Sequence, residues 1–167
     1  MGQGLLAGHY YPITQLPWFY VPLWFAVTMP ELWVILGFAG ILVIVVNFFR
    51  QPLLFLRNTD ERILLLSFLG LIIPLLSVIL LHSVLYNEWR HLYFIYPFFV
   101  LLVLYVINRL LNGKFKIAVI AACSLQVTYT GWFMVTDHPF QQVYFNSFVS
   151  HAPEYLNKNF ELEYWGC

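Results

Sequence analysis

Residues 63–81 read ILLLSFLGLIIPLLSVILL, nineteen positions without a charge. A helix of about 20 residues crosses the roughly 30 Å hydrocarbon core of a bilayer. Hydrocarbon offers no water to an open backbone, so a segment this apolar is expected to be a helix whose peptide groups bond to one another. Three more runs of the same kind lie around it: Glu31 to Phe49 before, Leu92 to about Leu111 and Ile117 to Val135 after. Composition agrees: the 167 residues are 61% hydrophobic and 10% charged, with a mean hydropathy of +0.75. Soluble domains carry about a quarter charged residues, so this deficit by itself implies a membrane protein. The formal net charge is zero, which supplies no basic surface and argues against nucleic acid as a partner. The expected fold class is all-α, a polytopic transmembrane helical bundle of four transmembrane helices plus short interfacial helices.

The chain 1–167 is expected to be a single membrane domain: 1–30 an outer loop and interfacial helix, 31–135 the four spans, 136–167 an outer amphipathic helix and tail. Gly2, Gly4 and Gly8 with Pro12 predict an extended loop over 1–15. From Leu16 to Met29 the chain is rich in Trp, Tyr and Phe and is broken by Pro17 and Pro22. That composition predicts a short interfacial or re-entrant helix, with Pro17 in its first turn and Pro22 as a kink. Pro74 should kink the second span, and Pro97 falls in the first turns of the third. After Val135, Phe140, Tyr144, Phe145 and Phe148 share one helical face, which predicts an amphipathic helix lying on the membrane.

Charge placement predicts orientation. Arg50, Arg57, Arg62, Arg109, Lys114 and Lys116 fall in the loops 50–62 and 108–116, against only Arg90 and Lys158 on the other side. Six cations against two put those two loops in the cytoplasm. Both loops are short and read as plain connections. All five histidines, His9, His82, His91, His138 and His151, fall on the outer side, so the chemistry is expected there. Cys123 lies inside an apolar run and Cys167 is the last residue, so a disulfide between them is not expected. No Cys/His spacing suits a metal. There is no basic stretch with a cleavage site at the N-terminus, and Leu6 stands where a myristoylation signal has Ser or Thr.

One polar cluster interrupts the apolar runs: Tyr86-Asn87-Glu88-Trp89-Arg90-His91, followed by Leu92-Tyr93-Phe94-Ile95-Tyr96-Pro97. An acid, a cation, an imidazole and an indole stand together at the head of the third span. This stretch resembles the aromatic-(Asp/Asn)-x-Trp-Arg-His-aromatic-Pro segment of bacterial integral-membrane glycosyltransferases of the GT-C type, related to dolichyl-phosphate-mannose protein mannosyltransferases and aminoarabinose transferases. Three further stretches resemble the same family in the same order. They are Gln15-Leu16-Pro17-Trp18-Phe19-Tyr20 with Pro22, His138-Pro139-Phe140-Gln141-Gln142-Val143-Tyr144-Phe145-Asn146, and Glu163-Tyr164-Trp165-Gly166. One departure is Ser150-His151, where the family often has Gly-Gly.

The resemblance implies transfer of a sugar from a polyprenyl-phosphate-linked donor to an acceptor at the extracytoplasmic face of a bacterial inner membrane. It also implies a catalytic carboxylate in an outer loop after a first transmembrane helix, and Gly2 to Gly8 holds no acid. The chain therefore resembles the C-terminal portion of a larger GT-C membrane domain, inactive alone and with its catalytic residue unknown. A phosphate at headgroup level calls for a cation, and Arg90 supplies a permanent charge able to bond it bidentately. His91 is expected to donate to the same phosphate. Glu88 could orient Arg90 or meet a sugar hydroxyl, Trp89 could stack on a pyranose or sit in the interfacial belt, and Tyr86 completes the group. No cofactor is expected; the resemblance leaves a metal possible, but no metal ligand set is visible in the sequence. Against this stands a non-catalytic membrane scaffold or assembly subunit, in which Glu88 and Arg90 form a solvated pair of little worth. A transporter is disfavoured, because no charge lies deep in the runs.

Overall fold

The computed structural model describes residues 3–85 and 89–162, all but the side chain of Gln142. Seven α-helices are present among the described residues. The segments Glu31–Arg50, Thr59–Leu80, Arg90–Leu111 and Lys116–Thr136 are long and apolar enough to cross a membrane. At 1.5 Å per residue, 20 to 22 residues measure roughly 30 Å, the thickness of the hydrocarbon layer. The chain divides into two compact units. One comprises Met1–Met29, Pro74–Phe94 and Gln142–Cys167, the other Pro30–Ile73 and Ile95–Gln141.

The first unit begins with a feature the glycines do not announce. Gln3–Leu6 (β1) and His9–Pro12 (β2) form an antiparallel hairpin, with Leu6 opposite His9. The expected loop over 1–15 is thus a paired ribbon for most of its length. Its two-residue turn has positive φ at both positions, 49° at Ala7 and 78° at Gly8. That is the mirror-image turn whose twist matches two paired strands. Leu6 bridges to Phe160, and the Gly8 amide donates to the Asn159 carbonyl at 3.2 Å.

Tyr20–Thr28 forms α1. Pro22 is its third residue, in the first turn, where its missing N–H costs no helical bond. Pro17 precedes the helix. Trp24 of α1 is fully buried, with the rings of Phe145 and Phe160 at 5.9 and 5.3 Å. A small aromatic core is thus built from the beginning and end of the described chain.

The predicted helix over 140–148 is absent. Only Gln141–Val143 makes a turn of 3-10 helix; residues 144–152 form no helix and belong to the first unit. The reason is Asn146. Its backbone N–H donates to the Val27 carbonyl at 2.9 Å, and its side-chain amide donates to the carbonyls of Ala26 and Met29 at 2.6 and 2.7 Å. These are carbonyls at the end of α1, which the helix itself leaves without donors. Satisfying them outweighs the local aromatic periodicity. A last short helix, Pro153–Asn159, is numbered α7 below.

The second unit holds Glu31–Arg50 (α2), Leu54–Arg57 (α3), the first part of Thr59–Leu80 (α4), Tyr96–Leu111 (α5) and Lys116–Thr136 (α6). Helices α2 and α5 pack closely through glycine. A Cβ on Gly40 would lie 3.2 Å from the Leu102 carbonyl oxygen, and one on Gly37 would meet the ring of Phe99. Small residues let helix backbones approach where no hydrophobic force drives them together. Helix α6 has no buried residue. Its apolar side chains, Leu125 and Trp132 among them, face outward, which suits lipid and would be a liability in water. Gln126 ties it to α2: Oε1 accepts from the Leu32 amide at 3.3 Å, and Nε2 donates to Glu31 at 3.2 Å.

The apolar runs locate the spans, and polar residues extend them. Helix α4 starts at Thr59, four residues before the apolar run, because Asn58 caps it. Asn58 Oδ1 accepts from the Asp60 amide at 2.8 Å, and its carbonyl takes the first helical bond, from Arg62. The third span opens as a 3-10 segment, Arg90–Ile95, before α5 begins. Pro97 is the second residue of α5, where no amide is required.

Candidate functional site

The polar stretch at the head of the third span is partly described. Tyr86, Asn87 and Glu88 lie outside the described residues, as do Gly2 and the Glu163-Tyr164-Trp165-Gly166 stretch. Trp89, Arg90 and His91 are described and differ sharply in environment. Trp89 is 5% exposed. Its indole N–H donates to Thr28 Oγ1 at 3.0 Å, and that hydroxyl donates to the Trp24 carbonyl at 2.8 Å. The Trp89 ring meets Phe25 at 4.9 Å and Tyr93 at 4.7 Å, both edge-on. It is a packing residue that clamps the 3-10 segment to the last turn of α1. Its ring is enclosed by these neighbours rather than open to solvent.

Arg90 is the first residue of the 3-10 segment and is half-buried, with its Nε shielded from solvent. His91 beside it is exposed. The next residues alternate by packing: Leu92 and Ile95 are buried, while Tyr93 and Phe94 are open. Arg90 thus rises from a segment whose position is set by two buried neighbours, Trp89 and Leu92. A guanidinium rooted in this way reaches an anion with less loss of freedom than one on a loose loop.

One residue of the 138–146 stretch has structural work the sequence does not disclose. Asn146 is fully buried, and besides its bonds to α1 its Oδ1 accepts from the Phe148 amide at 3.1 Å. Its carbonyl lies 3.0 Å from His151 Nε2. His138 is exposed beside Asp137, which closes α6 and accepts from the Thr136 hydroxyl at 3.0 Å. His9, Tyr10 and Tyr11 lie on β2, Tyr10 well exposed. Glu161 follows α7, and burial raises its pKa although the Leu5 amide bonds the carboxylate and opposes the rise.

A second polar group stands where the sequence reads only as a connection. Glu61, in the first turn of α4, is 5% exposed. One carboxylate oxygen accepts from Asn47 of α2 at 2.8 Å. The other accepts from the Tyr105 hydroxyl at 2.5 Å and pairs with Arg109 at 3.2 Å, both on α5. Arg109 Nη1 also donates to Tyr105 Oη at 2.5 Å. Three helices therefore meet on one carboxylate. The signal was present as Asp60-Glu61 with Tyr105 and Arg109 one turn apart on α5, but nothing in the linear order brings 61 to 105. Among the described residues no cluster of three His, Cys, Asp or Glu could hold a metal.

Comparison with protein-family models, with curated proteins and with solved structures finds no match to this chain.

Proposed function

We propose that this chain forms the donor-phosphate side of a bacterial inner-membrane glycosyltransferase that uses a polyprenyl-phosphate-linked sugar at the extracytoplasmic face. The carrying observation is Arg90: a permanent cation, half-buried, rooted between buried Trp89 and Leu92 at the head of a membrane-length segment. In this reading the Arg/Lys-rich loops lie in the cytoplasm and Arg90 meets the donor at the outer headgroup level. An acceptor oxygen attacks the anomeric carbon, the bond from that carbon to the phosphate oxygen breaks, and polyprenyl phosphate departs with the electron pair. Arg90 stabilises the charge that grows on the leaving phosphate, and exposed His91 donates a further hydrogen bond to it. The acceptor proton goes to the carboxylate that the family resemblance implies in an outer loop after a first transmembrane helix. In this reading the chain acts together with that loop as part of a larger GT-C membrane domain, and it is inactive without it.

The test is Arg90→Ala in a parent polypeptide that carries the catalytic loop. Losing a charge-assisted bond of about 1.5–3 kcal/mol should raise the donor concentration for half-maximal rate by roughly 10- to 100-fold, with Arg90→Lys in between. An unchanged donor requirement removes Arg90 from the site.

A second reading, a non-catalytic membrane scaffold or assembly subunit, is favoured by a different observation. Trp89 and Asn146, both from stretches that resemble the family, are buried and hydrogen-bonded to α1. An upstream reading frame with an acid-bearing loop after a transmembrane helix decides for the enzyme, and one without it for the scaffold.

A further inference from the structure

The Glu61 network opens onto a cleft of about 240 Å³, lined by Asn58, Asp60, Tyr105, Asn108, Arg109 and Asn112 together with Glu61 itself. Pockets that enclose drug-sized ligands measure roughly 300–1,000 Å³. This one is smaller and has the size of a headgroup. Every lining residue is polar or charged, in a unit whose other surfaces are largely apolar.

The network explains some of these groups and not others. Glu61 is fully committed, its two oxygens held by Asn47, Tyr105 and Arg109. Arg109 gives only Nη1 to that network, and its side chain is 61% exposed. Asp60 is exposed and lies outside the Arg109–Glu61 ion pair. The cleft therefore presents one cation with donors to spare and one carboxylate with no ion-pair partner among the described residues, with the amides of Asn108 and Asn112 alongside. An anionic head would satisfy Arg109 and be repelled by Asp60; a cationic head would meet the reverse. A head that carries both charges satisfies both. Arg50, Arg57, Arg62, Lys114 and Lys116 belong to the same unit and outnumber its acids, which draws a phosphate to this end.

We propose that this cleft is a binding site for a phosphoethanolamine head, its phosphate on Arg109 and its ammonium on Asp60. The ligand is a membrane lipid with that head or a soluble phosphoethanolamine. The site is independent of the Arg90 reading, because it uses none of the same residues and needs no sugar transfer.

The experiment uses the purified full chain in detergent, supplied with equal amounts of phosphatidylethanolamine, phosphatidylglycerol and phosphatidylcholine. Retained lipid is counted by native mass spectrometry, and unfolding temperature is read in parallel. Phosphatidylethanolamine should be retained about three- to fivefold over phosphatidylglycerol, which lacks the ammonium, and over phosphatidylcholine, whose quaternary ammonium has no N–H to give Asp60; that is the worth of one exposed ion pair. Asp60→Asn should abolish that preference and leave the unfolding temperature unchanged, since Asp60 is exposed and only its backbone amide serves the cap. Arg109→Gln should lower retention of all three lipids. If soluble phosphoethanolamine raises the unfolding temperature, the head alone is the ligand; if lipid is retained selectively without that rise, the membrane lipid is. Equal retention of the three lipids, or a preference that survives Asp60→Asn, overturns the proposal.

Discussion

Single side chains in this protein carry consequences far larger than their polarity suggests. Asn146 is the clearest case. Replacing it with Ala would strand two helix-end carbonyls and the Phe148 amide in a buried place. The expected loss is about 2–4 kcal/mol, because each buried polar group left without a partner costs about 1–3 kcal/mol and partial relaxation recovers some of it. Denaturant unfolding in detergent should read this loss, and limited proteolysis should show segment 142–162 released before the rest. Glu161 acts in the opposite sense. Its pKa is raised in the folded protein, so the native state holds its proton more tightly than the unfolded chain does. Stability from this group is therefore full below the ordinary carboxylate range and declines as pH rises through it towards the raised value. Glu161→Gln should remove that decline and leave the variant more stable than the parent at neutral pH, in a comparison of unfolding temperature between pH 4 and pH 7. An unaltered pH profile would show that another group governs it.

At the scale of the element, helix ends are more telling than helix interiors. Helix α4 closes with the Ser83 amide on the Val78 carbonyl at 3.1 Å and the His82 amide on the Ile79 carbonyl at 3.4 Å. That paired closure requires its penultimate residue to be left-handed, and His82 has φ of 47°. A residue with a Cβ is strained there by about 1–2 kcal/mol, a strain that glycine escapes. His82→Gly should therefore stabilise the protein by about 1 kcal/mol, seen as a higher unfolding temperature; a loss of stability would mean the imidazole has a role of its own. In sequence, His82 is only a polar residue after an apolar run. The apolar runs themselves are legible because about twenty uninterrupted apolar residues are enough to cross a bilayer. The helix over 140–148 was misread for a related reason. Periodicity reports which residues could share a face, but Asn146 found better partners at the end of α1 than in its own turn.

For the whole molecule, the charge bias predicts that the 81–89 connection and the 108–116 connection face opposite sides of the membrane. Ser83→Cys and Asn112→Cys, each in a background with Cys123 and Cys167 replaced, should react with an impermeant thiol reagent from opposite faces of sealed vesicles. Labelling of both from one face would reverse the topology and take Arg90 away from the outer leaflet. The two units differ in what their sequences reveal. The membrane-length helices are continuous apolar runs, legible from apolar length alone, whatever they pack against. The hairpin, α1, the 3-10 head of the third span and the closing segment form a core drawn from three distant stretches.

The amino-acid sequence by itself determined that this chain has four helices of membrane length, where each begins to within a few residues, and which ends carry the cations. Those properties follow from solvation, which acts on each residue separately and so can be read one residue at a time. Only the tertiary structure decided that Trp89 is a clamp, that Asn146 closes α1, and that Glu61 joins three helices beside a polar cleft. Those roles depend on which donors and acceptors meet across tens of residues, and no local pattern encodes that meeting.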